Sequence, residues 1–228
     1  MAFTSHLPDE FFTKLKAIAA RRNFYPEHAL NFMMHESGVK PNIAAGNYAG
    51  LFMKRFDSAT EASAFAKESA VRQLDAFDAF MAPYTNLEKT RPEHLYQLNF
   101  LPASAIPGQT HYRGNFPGSV LAAEGGGGYG GMEAAFYRDN PSLDVDKDGK
   151  ITVSDLGELL AKKRETPFYQ ELVTRLRTSP GRWSPAPSLL VSWVGPIVMA
   201  FALGGVLYVA HRNGLIQLPR AVTRWLPA

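Results

Sequence analysis

The 228-residue chain is 46% hydrophobic and 20% charged, and it contains no cysteine. That composition can bury a core, which excludes wholesale disorder. It also leaves no disulfide, zinc–thiolate, iron–sulfur or thiol-nucleophile chemistry. Three of the 24 basic residues (Arg212, Arg220, Arg224) fall in residues 184–228, which hold no acidic residue, so residues 1–183 carry 21 groups of each sign. A neutral body argues against nucleic acid as a partner.

In chain order, Phe11, Phe12, Leu15, Ile18 and Ala19 recur at helical spacing within 8–22. Pro26 opens a second helix carrying Ala29, Leu30, Phe32 and Met33, which ends at Ser37-Gly38. After the loop VKPNIAAGNYAGLF, Ser58 and Glu61 form a capping box for a helix running to Ala82. Residues 92–100 make a further helix. Residues 103–130 are rich in glycine and proline and read as a flap or an ordered glycine-dependent loop. Helices resume at 131–138 and 155–164. No stretch sustains period-two alternation, so strands should be few.

Residues 189–210, LLVSWVGPIVMAFALGGVLYVA, hold no charged side chain. As a helix they extend about 33 Å, enough to cross a hydrocarbon core of about 30 Å. Trp193 and Tyr208 lie near the two ends, where aromatic rings favour the interface. A single C-terminal transmembrane helix is expected there, preceded by a Pro/Ser linker at 179–188 and followed by a basic tail at 211–228. Three arginines flank each end, so charge does not set its orientation. The segment MAFTSHLPDEFF has neither a basic nor an apolar signal region, and no cleavable secretory signal is expected.

Glu36 ends the apolar helix HALNFMMHES. A carboxyl group there is partly desolvated and feels the helix's negative end, and both effects favour the protonated form that a general acid needs. His35 points about 100° away and reads as packing or surface rather than as a partner.

Glu36-Ser37, then Pro41, then Gly50-Leu51 with Phe52-Met53, resembles the signature of lytic transglycosylases with a goose-type lysozyme-like domain. Gln73-Leu74-Asp75 and LYQLNFLPA at 95–103 resemble phage-encoded members. The resemblance spans residues 8–165. It implies a mainly α, lysozyme-like fold, with Glu36 as catalytic residue and Ser37, Gly50, Leu51, Met53 and Tyr96 as substrate-binding residues. It implies cleavage of the MurNAc–GlcNAc β-1,4 bond of peptidoglycan glycan strands: Glu36 protonates the glycosidic oxygen, then takes the C6 hydroxyl proton, leaving a 1,6-anhydro end. Met53 stands where the family has glutamine, which reshapes subsites or weakens activity. Lys54 is a candidate for a muropeptide carboxylate. No acid lies between Ser37 and Phe56, so a second carboxylate of the kind most glycosidases use would have to come from elsewhere, Asp57 being nearest in sequence.

Residues 144–155, DVDKDGKITVSD, have the spacing of an EF-hand calcium loop: Asp144, Asp146, Asp148, the Lys150 carbonyl and Asp155 as ligands, Gly149 for the turn and Ile151 packed inward. One Ca2+ in a structural role is expected. Asp155 is shorter than the usual glutamate, and no second loop is present. The segment also resembles the calcium loop of phage transglycosylases. The organisation read from the sequence is a domain at 1–178 and an anchor at 189–210. With that organisation, the resemblance to phage-encoded members implies a virion-associated, membrane-anchored enzyme of genome entry, acting in the periplasm, with other virion proteins as partners. The alternative is a non-catalytic, membrane-anchored virion protein that keeps the fold.

Overall fold

The computed structural model describes residues 6–85, 89, 91–101, 119–126 and 133–183. The chain divides into units Met1–Ser184 and Pro185–Ala228, and the described residues all belong to the first. The expected membrane span at 189–210 and the tail at 211–228 lie outside the described residues, as does most of the 103–130 segment. Among the described residues no helix is long and apolar enough to cross a membrane.

The fold is mainly helical, with eight α-helices and little sheet among the described residues. Helix α1 (Asp9–Arg22) carries acids in its first turn and arginines in its last, complementing the helix dipole, and buries Phe11, Phe12, Leu15, Ile18 and Ala19. Helix α2 (Pro26–Ser37) starts on proline at the favoured first position. It is the central helix, packed against α5 (Pro92–Phe100), α7 (Val153–Arg164) and α8 (Pro167–Thr178). Between α2 and α3 (Ala59–Phe65) lies a three-stranded antiparallel sheet of β1 (Ala44–Ala45), β2 (Tyr48–Ala49) and β3 (Lys54–Arg55).

The helix expected from Ser58 to Ala82 is two helices. Ser58 caps α3 by accepting from the Glu61 N–H at 3.2 Å. The chain then breaks, and Ser69 caps α4 (Ala70–Met81) by accepting from the Arg72 N–H at 3.3 Å. The break is stabilised from inside. Gln73 of α4 is fully buried and its amide donates to the Phe65 and Glu68 carbonyls, which a continuous helix would have used itself.

Helix α8 did not stand out in the sequence, although Thr166 caps it through the Tyr169 N–H and Pro167 opens it. Strand β4 (Val120–Ala123) pairs antiparallel with β5 (Lys150–Thr152), and α6 (Glu133–Asp139) packs on β4.

The first part of the segment expected as linker belongs to the domain. Lys16, buried on α1, donates to the Ser179 carbonyl at 2.6 Å and to the Gly181 carbonyl at 3.3 Å. The Trp183 indole donates to the Phe24 carbonyl at 3.1 Å and packs on Tyr25 with ring centroids 4.7 Å apart. Proline and serine alone do not free a chain when a buried cation satisfies its carbonyls and its own indole donates to the domain.

A half-buried glutamate at the end of α2 and an aspartate loop before α7

Helix α2 stops one turn after the residues it buries. Gly38, at φ +65°, donates its N–H to the Met34 carbonyl at 3.2 Å, and Val39 donates to the Met33 carbonyl at 3.2 Å. Val39 is itself left-handed at φ +58°, a strained state for a β-branched residue. Its side chain is fully buried, and its carbonyl lies 3.1 Å from His6 Nε2, which supplies the proton. Glu36 sits immediately before this forced ending, half-buried.

Residues 96 and 99 lie one turn apart on α5 and both reach Glu36. The Tyr96 hydroxyl and the Asn99 amide hydrogen-bond to its carboxylate. Burial raises the Glu36 pKa from 4.5 to about 7, against the lowering effect of these two bonds. Among the described residues no other carboxylate contributes to that shift. Burial, then the neighbouring Glu36 charge, pushes the Tyr96 phenol far upward, so it stays a donor. The arrangement is a carboxyl group poised near neutrality, able both to give and to take a proton.

His35 packs edge-on against Tyr96, centroids 4.9 Å apart. Burial, then Lys163, lowers its pKa to about 4, so it is a neutral ring packed on the tyrosine that holds Glu36.

The residues read as substrate-binding divide into a brace and a surface. The Ser37 hydroxyl lies 2.8 Å from the Leu51 carbonyl and 3.2 Å from the Met33 carbonyl. The Leu51 N–H donates to Gln73 Oε1 at 2.9 Å, and Gln73 Nε2 donates to the Pro41 carbonyl at 2.8 Å. The Leu51 side chain is fully buried. Gly50 has φ +82°, and a Cβ there would fall 2.5 Å from the Phe65 ring and 2.6 Å from Gln73 Oε1. Ser37, Gly50 and Leu51 therefore bind α2 to the sheet and α4. Met53 is half-buried and left-handed at φ +48°, and Tyr96 touches Glu36 directly. Lys54 lies over the Phe56 and Phe65 rings, 4.7 and 5.5 Å from their centroids.

Sequence reasoning assigned no role to Gln73 or Asn99. The signal for Asn99 was its place one turn after Tyr96; for Gln73 it was a long polar side chain between apolar neighbours of an amphipathic helix.

A cavity of about 920 Å³ opens beside Met34, Gly38, Ile43 and Phe168. Met34 lies roughly opposite Glu36 around the helix axis, so its side chain reaches this cavity on the side away from the carboxyl group.

Around 144–155, carboxylate oxygens of Asp144, Asp146 and Asp148 lie within 4.8 Å of one another and could hold a metal ion. Gly149, at φ +84°, makes the turn, and its N–H donates to Asp144 Oδ2 at 2.9 Å. Tyr137 donates to the same oxygen at 2.8 Å. Burial would raise the Asp144 pKa, but Tyr137 and the loop N–H groups outweigh it and keep the carboxyl ionised. Asp146 is pushed upward by burial and by its acidic neighbours Asp148 and Asp155. Ile151 is fully buried, as expected. Oxygen-only donors of this kind suit a hard divalent cation.

Asp155, expected as a ligand, has both carboxylate oxygens engaged within the loop. Its Oδ2 accepts from the Thr152 N–H at 2.8 Å and the Thr152 hydroxyl at 2.6 Å, and its Oδ1 accepts from the Val145 N–H at 3.1 Å. It is the capping-box residue of α7 and ties the loop's start to its end, outside the three-carboxylate cluster. Lys150 lies on β5, whose partner β4 occupies the side where a second calcium loop would pair.

Comparison with protein-family models, curated proteins and solved structures finds no match to this chain. Its function is therefore argued from the residues above.

Proposed function

We propose that the chain is a peptidoglycan lytic transglycosylase with Glu36 as single general acid and base. The observation that carries this reading is a half-buried carboxyl with a pKa near 7, held by Tyr96 and Asn99 at the end of α2. The protonated carboxyl gives its proton to the glycosidic oxygen between MurNAc and GlcNAc, and the substrate's own N-acetyl group assists departure. The resulting carboxylate takes the proton of the C6 hydroxyl as that oxygen closes on C1, giving the 1,6-anhydro product. No second carboxylate takes part, in line with the resemblance in Glu36-Ser37 and Gly50-Leu51 to goose-type lysozyme-like enzymes.

The Asp144, Asp146 and Asp148 carboxylates with the Lys150 carbonyl hold one Ca2+, which supplies no chemistry. It would offset two of the three negative charges and clamp β5 and α7 beside α5. Residues 189–210 anchor the chain in a membrane, consistent with a phage virion protein that opens the wall during genome entry.

A second reading, a non-catalytic virion protein retaining this fold, is favoured by Met53 in place of the family glutamine. Digestion of purified sacculi with the full chain in mild detergent separates the two. Anhydro-ended muropeptides, absent with Glu36→Gln, support the enzyme. Reducing-end products would mean hydrolysis with a second carboxylate. No products from folded protein would leave the non-catalytic reading.

A further inference from the structure

Among the described residues Tyr48 is the one large hydrophobic side chain that is exposed, at 46%. It lies on β2, the middle strand of the small sheet, in register with Ala45 on β1 and Arg55 on β3. Residues directly opposite across antiparallel strands share a face. One face therefore presents a row of Ala45, Tyr48 and Arg55, all exposed. The other face carries the row Ala44, Ala49 and Lys54, in which Ala49 is buried and Lys54 covers the Phe56 and Phe65 rings.

The two neighbouring cations thus have different fates. Lys54 is used within the fold, whereas Arg55 forms no ion pair among the described residues and faces outward. The small side chain of Ala45 leaves one edge of the tyrosine ring uncovered by bulk. The sheet is also not free to drift from the catalytic carboxyl. Three residues after Tyr48, the Leu51 carbonyl is held by Ser37, the residue that follows Glu36. Three residues of chain span at most about 11 Å. The Phe56 N–H closes the sheet on the Asn47 carbonyl at 2.8 Å, next to Tyr48.

We propose that Tyr48 and Arg55 form a glycan-strand subsite, the tyrosine ring stacking on a pyranose face and the guanidinium receiving a carboxylate of the attached peptide stem. This rests on the peptidoglycan reading of the Glu36 site and adds to it a specificity for strands that carry peptide. An aromatic ring offers area at little entropic cost, and a guanidinium matches a carboxylate's two oxygens. Tyr48, being exposed, can be replaced without opening the core.

The test uses the full chain in mild detergent, with thermal melts confirming that each variant is folded. On sacculi, Tyr48→Ala is expected to raise KM about tenfold with kcat within twofold, and Tyr48→Phe to behave as wild type, since the ring rather than the hydroxyl stacks. Arg55→Ala is expected to raise KM about fivefold on sacculi and to have no effect on glycan strands stripped of their peptides. An unchanged KM in Tyr48→Ala, with wild-type protein cleaving normally, overturns the subsite and leaves the enzyme reading standing. If wild-type protein cleaves nothing, the enzyme reading falls by itself, and co-sedimentation with sacculi decides the subsite. Binding weakened in Tyr48→Ala supports it; no binding, or binding unchanged in the variant, overturns it.

Discussion

Ser37 lies 2.8 Å through its hydroxyl from the Leu51 carbonyl, which fastens the last turn of the glutamate helix to the turn leading into β3. The Leu51 N–H is fastened in turn to Gln73. One residue's two backbone groups thus join α2, the sheet and α4. Gly50→Ala is expected to cost about 3 kcal/mol or more, because the residue would be both left-handed and in collision with Phe65 and Gln73. Ser37→Ala loses one hydrogen bond, about 1 kcal/mol. Thermal melts should therefore rank Gly50→Ala far below Ser37→Ala. Equal melting points would mean that the turn is not braced as described.

Glu36 is expected to be a stability liability that activity requires. Its folded-state pKa of about 7 lies above the ordinary 4.5, so the native state favours the protonated form. That preference stabilises the fold fully below pH 4.5 and is lost as pH rises through about 7. Glu36→Gln, permanently neutral, should melt higher than wild type at pH 8.5, by roughly 2 kcal/mol after allowance for partial exposure. The two should converge at pH 4. The kcat/KM of wild type should fall tenfold per pH unit above about 7, as the acid form is depleted. A flat profile to pH 9 would exclude Glu36 as the proton donor.

His28 and His35 act in the opposite direction. Burial, then Arg164, lowers the His28 pKa to about 4, against a hydrogen bond that the ring donates to the Lys89 backbone carbonyl; His94 adds to the lowering. Burial, then Lys163, lowers that of His35 to the same value, with the Tyr96 ring packed against it. Both are held neutral, so their contribution is present above pH 6.5 and is lost as pH falls through about 4. Wild-type protein should lose stability over that window, and the His28→Gln/His35→Gln pair should lose much less of it. Urea midpoints measured at pH 7, 5.5 and 4 would decide it, an unchanged pH slope in the double variant being the contrary result.

The helices and the glutamate were legible because apolar spacing, Pro26 and Ser37-Gly38 are local signals. The break between α3 and α4 was not, since it depends on Gln73 reaching back to carbonyls five and eight residues earlier. The support of Glu36 by Asn99 and the burial of Lys16 under Ser179 are likewise pairings of distant residues. Asp155 carries a second role that was missed for a related reason. The same residue satisfies both a calcium-loop pattern and a capping box, and only the positions of Thr152 and Val145 separate the two roles.

That distinction predicts different behaviour for two acids of one loop. Calcium at a hundred times its Kd should stabilise the protein by about 2.7 kcal/mol. Asp146 belongs to the three-carboxylate cluster, and its neighbours disfavour its charge. Asp146→Asn should abolish the calcium response while leaving the metal-free melting temperature equal or slightly higher. Asp155 holds the loop together without metal, through Thr152 and Val145. Asp155→Asn should lower the metal-free melting temperature, by about 1–2 kcal/mol in stability for a lost cap, and keep part of the calcium response. Melts of wild type and both variants, with chelator and with calcium, give six values that test this. An unchanged wild-type melt on adding calcium would remove the metal from the account, and an Asp155→Asn variant silent to calcium but normal without it would return Asp155 to the ligand set.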